Sequence, residues 1–248
     1  MERINPNKHI SRQYNEEIEE LRDKVLSMGG YVEQQVSDGL QALLEMNMEL
    51  AQKVATEDYK INAMEVDIDE ACTQMIALRQ PTASDLRFVV TIIKTISDLE
   101  RIGDQAEKLG RYSLSLSELG HSEDVLIGIG NLGERVKSML RDTLDAFARL
   151  DADVAVRTAL KDKKINQEYD GVMRQLITHM MEDPRSIKRS LQAQWCARAL
   201  ERIANHACNV CEYIVYIVSG RNIRHTKLEQ VVDEFLSEKS NNDAEGDG

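Results

Sequence analysis

Few residues in this chain oppose a helix. Aromatic residues make up 4% of its 248 positions and proline occurs three times, while straight-chain helix formers (Met, Ala, Leu, Glu, Gln, Lys, Arg) are abundant. That composition favours an all-α chain. Four cysteines (Cys72, Cys196, Cys208, Cys211) are too few for a disulfide framework in a chain of this size. Long apolar runs are missing too: the longest, 88–93 and 213–218, reach about a third of a membrane span, so no direct membrane insertion is expected. The first six residues lack the apolar core of a signal peptide, and a cytoplasmic protein is expected. There is no excess of basic charge. The formal net charge is −12, part of it in six acids against one lysine from Asp233 to Gly248. Such a balance argues against nonspecific nucleic-acid binding, which needs cationic groups to displace counterions. It suits cation binding or docking on basic protein surfaces.

Helical punctuation is plain. Amphipathic segments are predicted over 11–47, with a soft point at Gly29-Gly30, and over 49–78. Pro81 interrupts, Thr82 and Asp85 can form a capping box, and a third helix follows to Leu119, closed by Gly120. The pattern then restarts with a helix over 125–149. Asp151 is an N-cap candidate for the next, to Met181, and Asp183-Pro184 places an N-cap before a proline in the first helical position. The last long helix runs to Ser219 with Gly220 as its C-cap. A short helix is expected over 228–236 and disorder over 240–248.

Behind this lies an internal repeat. Asp58 to Asn62 (DYKIN) returns at Asp162 to Asn166 (DKKIN), Pro81 returns at Pro184, and Leu99 to Gly103 (LERIG) returns at Leu200 to Ala204 (LERIA). The order is kept and the offset drifts only from 104 to 101 residues. We therefore expect two tandem three-helix bundles, over 1–119 and 120–222, with 223–248 as a short helix and acidic tail.

The sharpest chemical feature is Asp98-Leu-Glu-Arg-Ile-Gly-Asp104. Glu100 and Asp104, four apart, share a helix face in line with apolar Val89, Ile93 and Ile96. Two acids on such a stripe need a partner, because an unpaired buried carboxylate is costly. A metal ion, a basic side chain or local solvent would each serve. The second helix carries a matching acidic edge in Asp58, Asn62, Glu65 and Asp69. If the two helices pack antiparallel, the edges face each other, and oxygen-rich sites of this kind suit hard divalent cations. In the second repeat Asp162 with Asn166, and Glu201 with Asn205, offer oxygens but less charge.

Other motifs fall away. His206, Cys208 and Cys211 sit within one helix with no second cysteine pair, which favours core packing over zinc. A di-iron bundle needs two Glu-x-x-His motifs, and the one present, Glu118 to His121, is split by Gly120. Gly128, Gly130 and Gly133 form GxGxxG without a preceding strand. No nucleophile, base and orienting group fall into register, so no enzyme is expected.

These residues resemble the PhoU family. The resemblance runs from Met28-Gly-Gly to Arg224-His225 and is carried by Gln80 to Arg87 (QPTASDLR), Asp98 to Asp104, Asp145 to Arg149 (DAFAR), Tyr169 to Leu176 (YDGVMRQL), Met180 to Asp183, Leu200 to Ile203 and Ser219 to His225. It implies two tandem three-helix bundles, a cytoplasmic homodimer and no catalysis. It implies a negative regulator of the phosphate regulon, an adaptor between the ATPase of the phosphate ABC transporter and the phosphate-sensing histidine kinase. The alternative is a helical protein that stores or senses a divalent metal. No cofactor is required by the resemblance, but family E(D)xxxD motifs bind metal, with a divalent or ferric ion as candidate. Carried over, these motifs fall at Asp58/Asn62 and Glu100/Asp104, with Glu65 beside them, and at Asp162/Asn166 and Glu201/Asn205. Three of the four have Asn where the family pattern has Asp.

Overall fold

The computed structural model describes the backbone of residues 6–81, 83–119, 123–221 and 223, with side chains from residue 14 to 119 (save 82) and from 126 to 221 and at 223. The short helix expected over 228–236, the tail, Thr82 of the capping box, Gly120 and His121 lie outside these residues. The elements are α1 (Pro6–Leu44), α2 (Met48–Val54), α3 (Tyr59–Arg79), α4 (Ala83–Leu119), α5 (Glu123–Arg149), α6 (Ala152–Ala159), α7 (Lys161–Glu182), a 3₁₀ turn (Pro184–Ser186) and α8 (Ile187–Ser219). No strand occurs among the described residues.

The three-helix outline of each repeat is present, with the second helix broken in two. Met46 (φ 53°) and Leu150 (φ 49°) turn the chain at matching places after α1 and α5. One residue later the side chains of Asn47 and Asp151 accept from the amides of Leu50 and Val154, both at 3.0 Å, and start the short helices α2 and α6. The expected continuous helices over 49–78 and 151–181 then bend at 55–58 and at Leu160. The backbone stays right-handed there (Ala55 φ −68°, ψ −8°; Leu160 φ −64°, ψ −19°), so the apolar periodicity runs through the bend and hides it from the sequence. The bend lets α4 approach closely. A Cβ on Gly110 would lie 2.9 Å from the Ala51 carbonyl and 3.0 Å from the Ala55 nitrogen.

Helix α1 runs unbroken through Gly29-Gly30, against the expected soft point. Gly29 is used for contact instead: a Cβ there would meet Leu144 of α5 at 2.5 Å. Gly133 of α5 does the same for α1, where a Cβ would lie 2.4 Å from Leu40. Other stops hold as expected. Asp183 caps the 3₁₀ turn through the Arg185 amide at 3.0 Å, and Gly220 ends α8 at φ 72°.

Each long helix buries a stripe at three- and four-residue spacing. On α4 the stripe is Val89, Ile92, Ile96, Leu99, Ile102, Ala106 and Leu109, all buried, and on α8 it is Cys196, Leu200, Ile203, Ala207, Val210 and Ile214. Each large aliphatic chain so buried contributes about 1.5–3 kcal/mol, before the conformational entropy that opposes it.

The two repeats meet through like helices. Glu33 of α1 pairs with Arg141 of α5 at 2.9 Å, and the Leu40–Gly133 and Gly29–Leu144 approaches fix the pair as antiparallel. Helix α4 lies antiparallel on α8, with Tyr112 stacked on Trp195 (centroids 6.2 Å apart) at one end and Arg87 against Gly220 at the other. Repeats that pair the same helices, each antiparallel, are related by an approximate two-fold axis within one chain.

Candidate metal centre

In the first repeat the bend between α2 and α3 brings Asp58 over α4. There carboxylate oxygens of Asp58, Asp104 and Glu107 lie within 4.8 Å of one another. Gly103 makes the space: a Cβ there would lie 3.3 Å from Asp58 Oδ1 and 2.6 Å from Ile61. Asn62 donates its amide to Asp58 Oδ2 at 2.9 Å, while Asp58 Oδ1 is buried with no hydrogen-bond partner. Burial, then the charges of Asp104 and Glu107, push the Asp58 carboxyl above its ordinary range against the Asn62 hydrogen bond. Glu100 is raised by burial and then by Asp104, Glu65 and Asp58, and Glu65 by burial and then Asp69. Balancing cations are few and lie at the rim, with Lys108 3.4 Å from Asp104 and Arg111 paired with Glu107.

Among the expected residues, then, Asp58 and Asp104 come together, Glu100 and Glu65 add charge beside them, and Asn62 serves as a donor to Asp58. Glu107 is the member that sequence reasoning missed. Its signal was available: it lies three residues after Asp104, on the same helical face. An orphaned buried oxygen inside a group of acids fits a hard cation, which would be held by Asp58, Asp104 and Glu107.

In the second repeat the expected residues are arranged differently. Asn166 donates to Asp162 at 2.7 Å, Asn205 donates to Glu201 at 2.9 Å, and Arg198 lies 3.1 Å from Glu201. Burial and then the Glu201 charge raise Asp162. The two asparagines here donate hydrogen bonds to the acids, as Asn62 does to Asp58, and an arginine supplies charge, while Asp162 Oδ1, like Asp58 Oδ1, is buried without a hydrogen-bond partner. No group of three or more His, Cys, Asp or Glu ligands forms there among the described residues.

His206 faces a carboxylate rather than the cysteines. Its Nδ1 lies 2.7 Å from Asp98 Oδ1, while the Cys211 thiol lies in the core 3.3 Å from the Thr143 hydroxyl. Burial pushes the Cys196 and Cys211 thiols up to about 12, which keeps them protonated and inert. Asp98 is the hub of a clasp between the repeats. It is 1% exposed, and it accepts from Asn209 at 3.2 Å on Oδ1 and from the Tyr213 hydroxyl at 2.9 Å on Oδ2. His206, Asn209 and Tyr213 all come from α8, at one-turn and two-turn spacing. Burial alone would raise the Asp98 carboxyl, but the hydrogen bonds from His206, Asn209 and Tyr213 together hold it below its ordinary range.

A family profile described as the PhoU domain matches the chain twice, at residues 25–113 and 129–214. The chain belongs to the PhoU family. The two matches are the two halves of the internal repeat. A PhoU relative from Serratia marcescens, the phosphate-specific transport system accessory protein, is 53% identical over 225 residues, covering 91% of this chain and 92% of its own length. The crystal structure of PhoU from Pseudomonas aeruginosa superposes with a TM-score of 0.82 at 46% identity, over 84% of this chain and all of that one. That of the phosphate transport system regulatory protein PhoU from Streptococcus pneumoniae gives 0.78 at 33% identity, over 84% and 98%. The group of three acids lies in the first of these two matched repeats. No helix among the described residues is long and apolar enough to cross a membrane.

Proposed function

We propose that this PhoU protein is a cytoplasmic adaptor that represses phosphate-starvation signalling, linking the ATPase of the phosphate ABC transporter to the phosphate-sensing histidine kinase. The observation that carries it is the family match across both repeats, to relatives named as accessory and regulatory proteins of phosphate transport. The geometry supports a binding role over a catalytic one. The Cys196 and Cys211 thiols are held protonated in the core, and the Asp98–His206 acid–histidine pair is spent on holding α4 to α8. To act, the adaptor must bind one partner state better than the other, since equal affinity for both shifts nothing. Co-purification of the intact chain with the transporter ATPase and with the kinase, from phosphate-replete and starved cells, tests this. Recovery of both partners, with a yield that changes with phosphate, is expected. Recovery of neither, in either condition, refutes the adaptor. A homodimer belongs to the same reading and is tested by sedimentation of the purified chain.

The unpartnered Asp58 Oδ1 favours a second property, binding of one divalent cation by Asp58, Asp104 and Glu107, with Glu100 adding charge. Such an ion would neutralise the cluster and lock the α2–α3 bend onto α4. It is compatible with the adaptor and would become the primary role if the adaptor reading failed.

A further inference from the structure

The two-fold relation between the repeats makes it possible to ask what stands opposite the Asp98 clasp. With the offset of 101 residues set by Leu99/Leu200, Asp98 corresponds to Ala199, His206 to Gln105, Asn209 to Lys108, Tyr213 to Tyr112 and Arg101 to Arg202. The donors of the clasp thus have counterparts that are also donors, while the carboxylate has been replaced by a methyl group. These counterparts, Gln105, Lys108, Tyr112, Ala199 and Arg202, line one cavity of about 240 Å³ between α4 and α8. Trp195 and Arg198 complete its wall.

The donors in this cavity want an acceptor. Gln105 is 6% exposed, and no hydrogen bond reaches its amide among the described residues. Arg202 has no carboxylate partner among the described residues. Lys108 and Arg198 are each held from behind, by Asp104 at 3.4 Å and by Glu201 at 3.1 Å, which positions their charges without filling the cavity. Tyr112 is fixed by its stack on Trp195. Three cations, an amide and a phenol hydroxyl around a void match an oxyanion, and guanidinium forks pair with such groups bidentately. With Lys108 and Arg198 already paired to Asp104 and Glu201, Arg202 brings the uncompensated charge, and its fork matches the paired oxygens of a phosphate-class anion.

We propose that the cavity between α4 and α8 binds a phosphate-class oxyanion, inorganic phosphate or a small phosphate monoester, in the place that the Asp98 carboxylate holds on the other side of the two-fold axis. Bound there, the anion bridges the two repeats as Asp98 does. The site adjoins the acidic centre through Lys108, which pairs with Asp104, but it does not rest on the adaptor reading: its failure would leave that reading standing.

The test is isothermal titration calorimetry of the full chain in phosphate-free buffer, with inorganic phosphate and with glycerol 3-phosphate as probes. One saturable site for at least one probe is expected, and the tighter of the two identifies the source. Arg202→Gln should weaken binding about tenfold or more, as expected for loss of a charge-assisted hydrogen bond. Ala199→Asp supplies the missing carboxylate from the chain itself and should abolish binding while leaving the helical circular dichroism intact. Should Ala199→Asp not fold, Lys108→Gln with Arg202→Gln keeps the test open, since both change exposed or half-buried side chains. No saturable heat with either probe, or equal affinity in the wild type and the folded variants, overturns the proposal.

Discussion

Replacing Asp98 by alanine removes the one acceptor that three α8 side chains share, and the structure sets the size of the effect. Asp98 is almost fully buried and accepts from His206, Asn209 and Tyr213 at 2.7, 3.2 and 2.9 Å. Hydrogen bonds to a charged group contribute about 1.5–3 kcal/mol each, but they are not additive within one network. Breaking a buried charged cluster by removing one partner costs about 3–5 kcal/mol, and we expect Asp98→Ala to fall in that range. Against a total stability of roughly 5–15 kcal/mol this is a large share. Urea unfolding at pH 7, followed by circular dichroism, reads it. A Tyr213→Phe partner variant closes a double-mutant cycle, with a coupling of about 0.5–3 kcal/mol expected. The sign with pH follows from the lowered Asp98 carboxyl. The clasp is fully present above the ordinary carboxylate range near pH 4 and is lost as pH falls through the folded-state value below it. A loss under about 1 kcal/mol for Asp98→Ala, or strict additivity with Tyr213→Phe, would refute the clasp.

Glycine offers a paired prediction. Gly30 has nothing within 4 Å of a Cβ, so Gly30→Ala should stabilise by about 0.5–1 kcal/mol through helix propensity, whereas Gly110→Ala meets backbone and should destabilise by about 1–3 kcal/mol, both read by thermal melting. Gln80 ends α3 at φ 48° and is exposed, so Gln80→Gly should gain about 1 kcal/mol in the same assay. In the acidic centre, Asp58→Asn keeps the shape and the Asn62 contact but removes a charge whose folded-state pKa is raised. A raised carboxyl opposes folding as pH rises through it, so the variant should raise the melting temperature of the metal-free chain at neutral pH. The same variant should lose whatever stabilisation manganese or magnesium confers on the parent, and a parent that neither cation stabilises counts against the centre.

The long helices were legible because amphipathic stripes at three- and four-residue spacing and their stops, such as Asp183-Pro184 and Gly220, are local signals. The repeat was legible because LERI and its neighbours recur in order. What escaped was tertiary. The bends at 55–58 and Leu160 keep right-handed backbone and unbroken periodicity, so only the close approach of Gly110 reveals them. Gly29 read as a soft point because a helix glycine usually weakens it, whereas here it admits Leu144. At the site, the spacing of Glu100 and Asp104 gave a shared face, yet it was the bend that brought Asp58 onto Asp104 and Glu107 of α4. The asparagines at 62, 166 and 205 read as weak ligands, but each donates its amide to the acid four residues before it. Asp98 sat in full view in the sharpest motif, and its partners lie 108 to 115 residues away on α8, beyond any pattern within a single helix.

The regulatory role is tested most directly by alkaline phosphatase activity in phosphate-replete cells of a phosphate-regulated host from which the gene has been deleted. The account predicts constitutive activity that the intact gene reverses. Normal repression in the absence of the protein would contradict it.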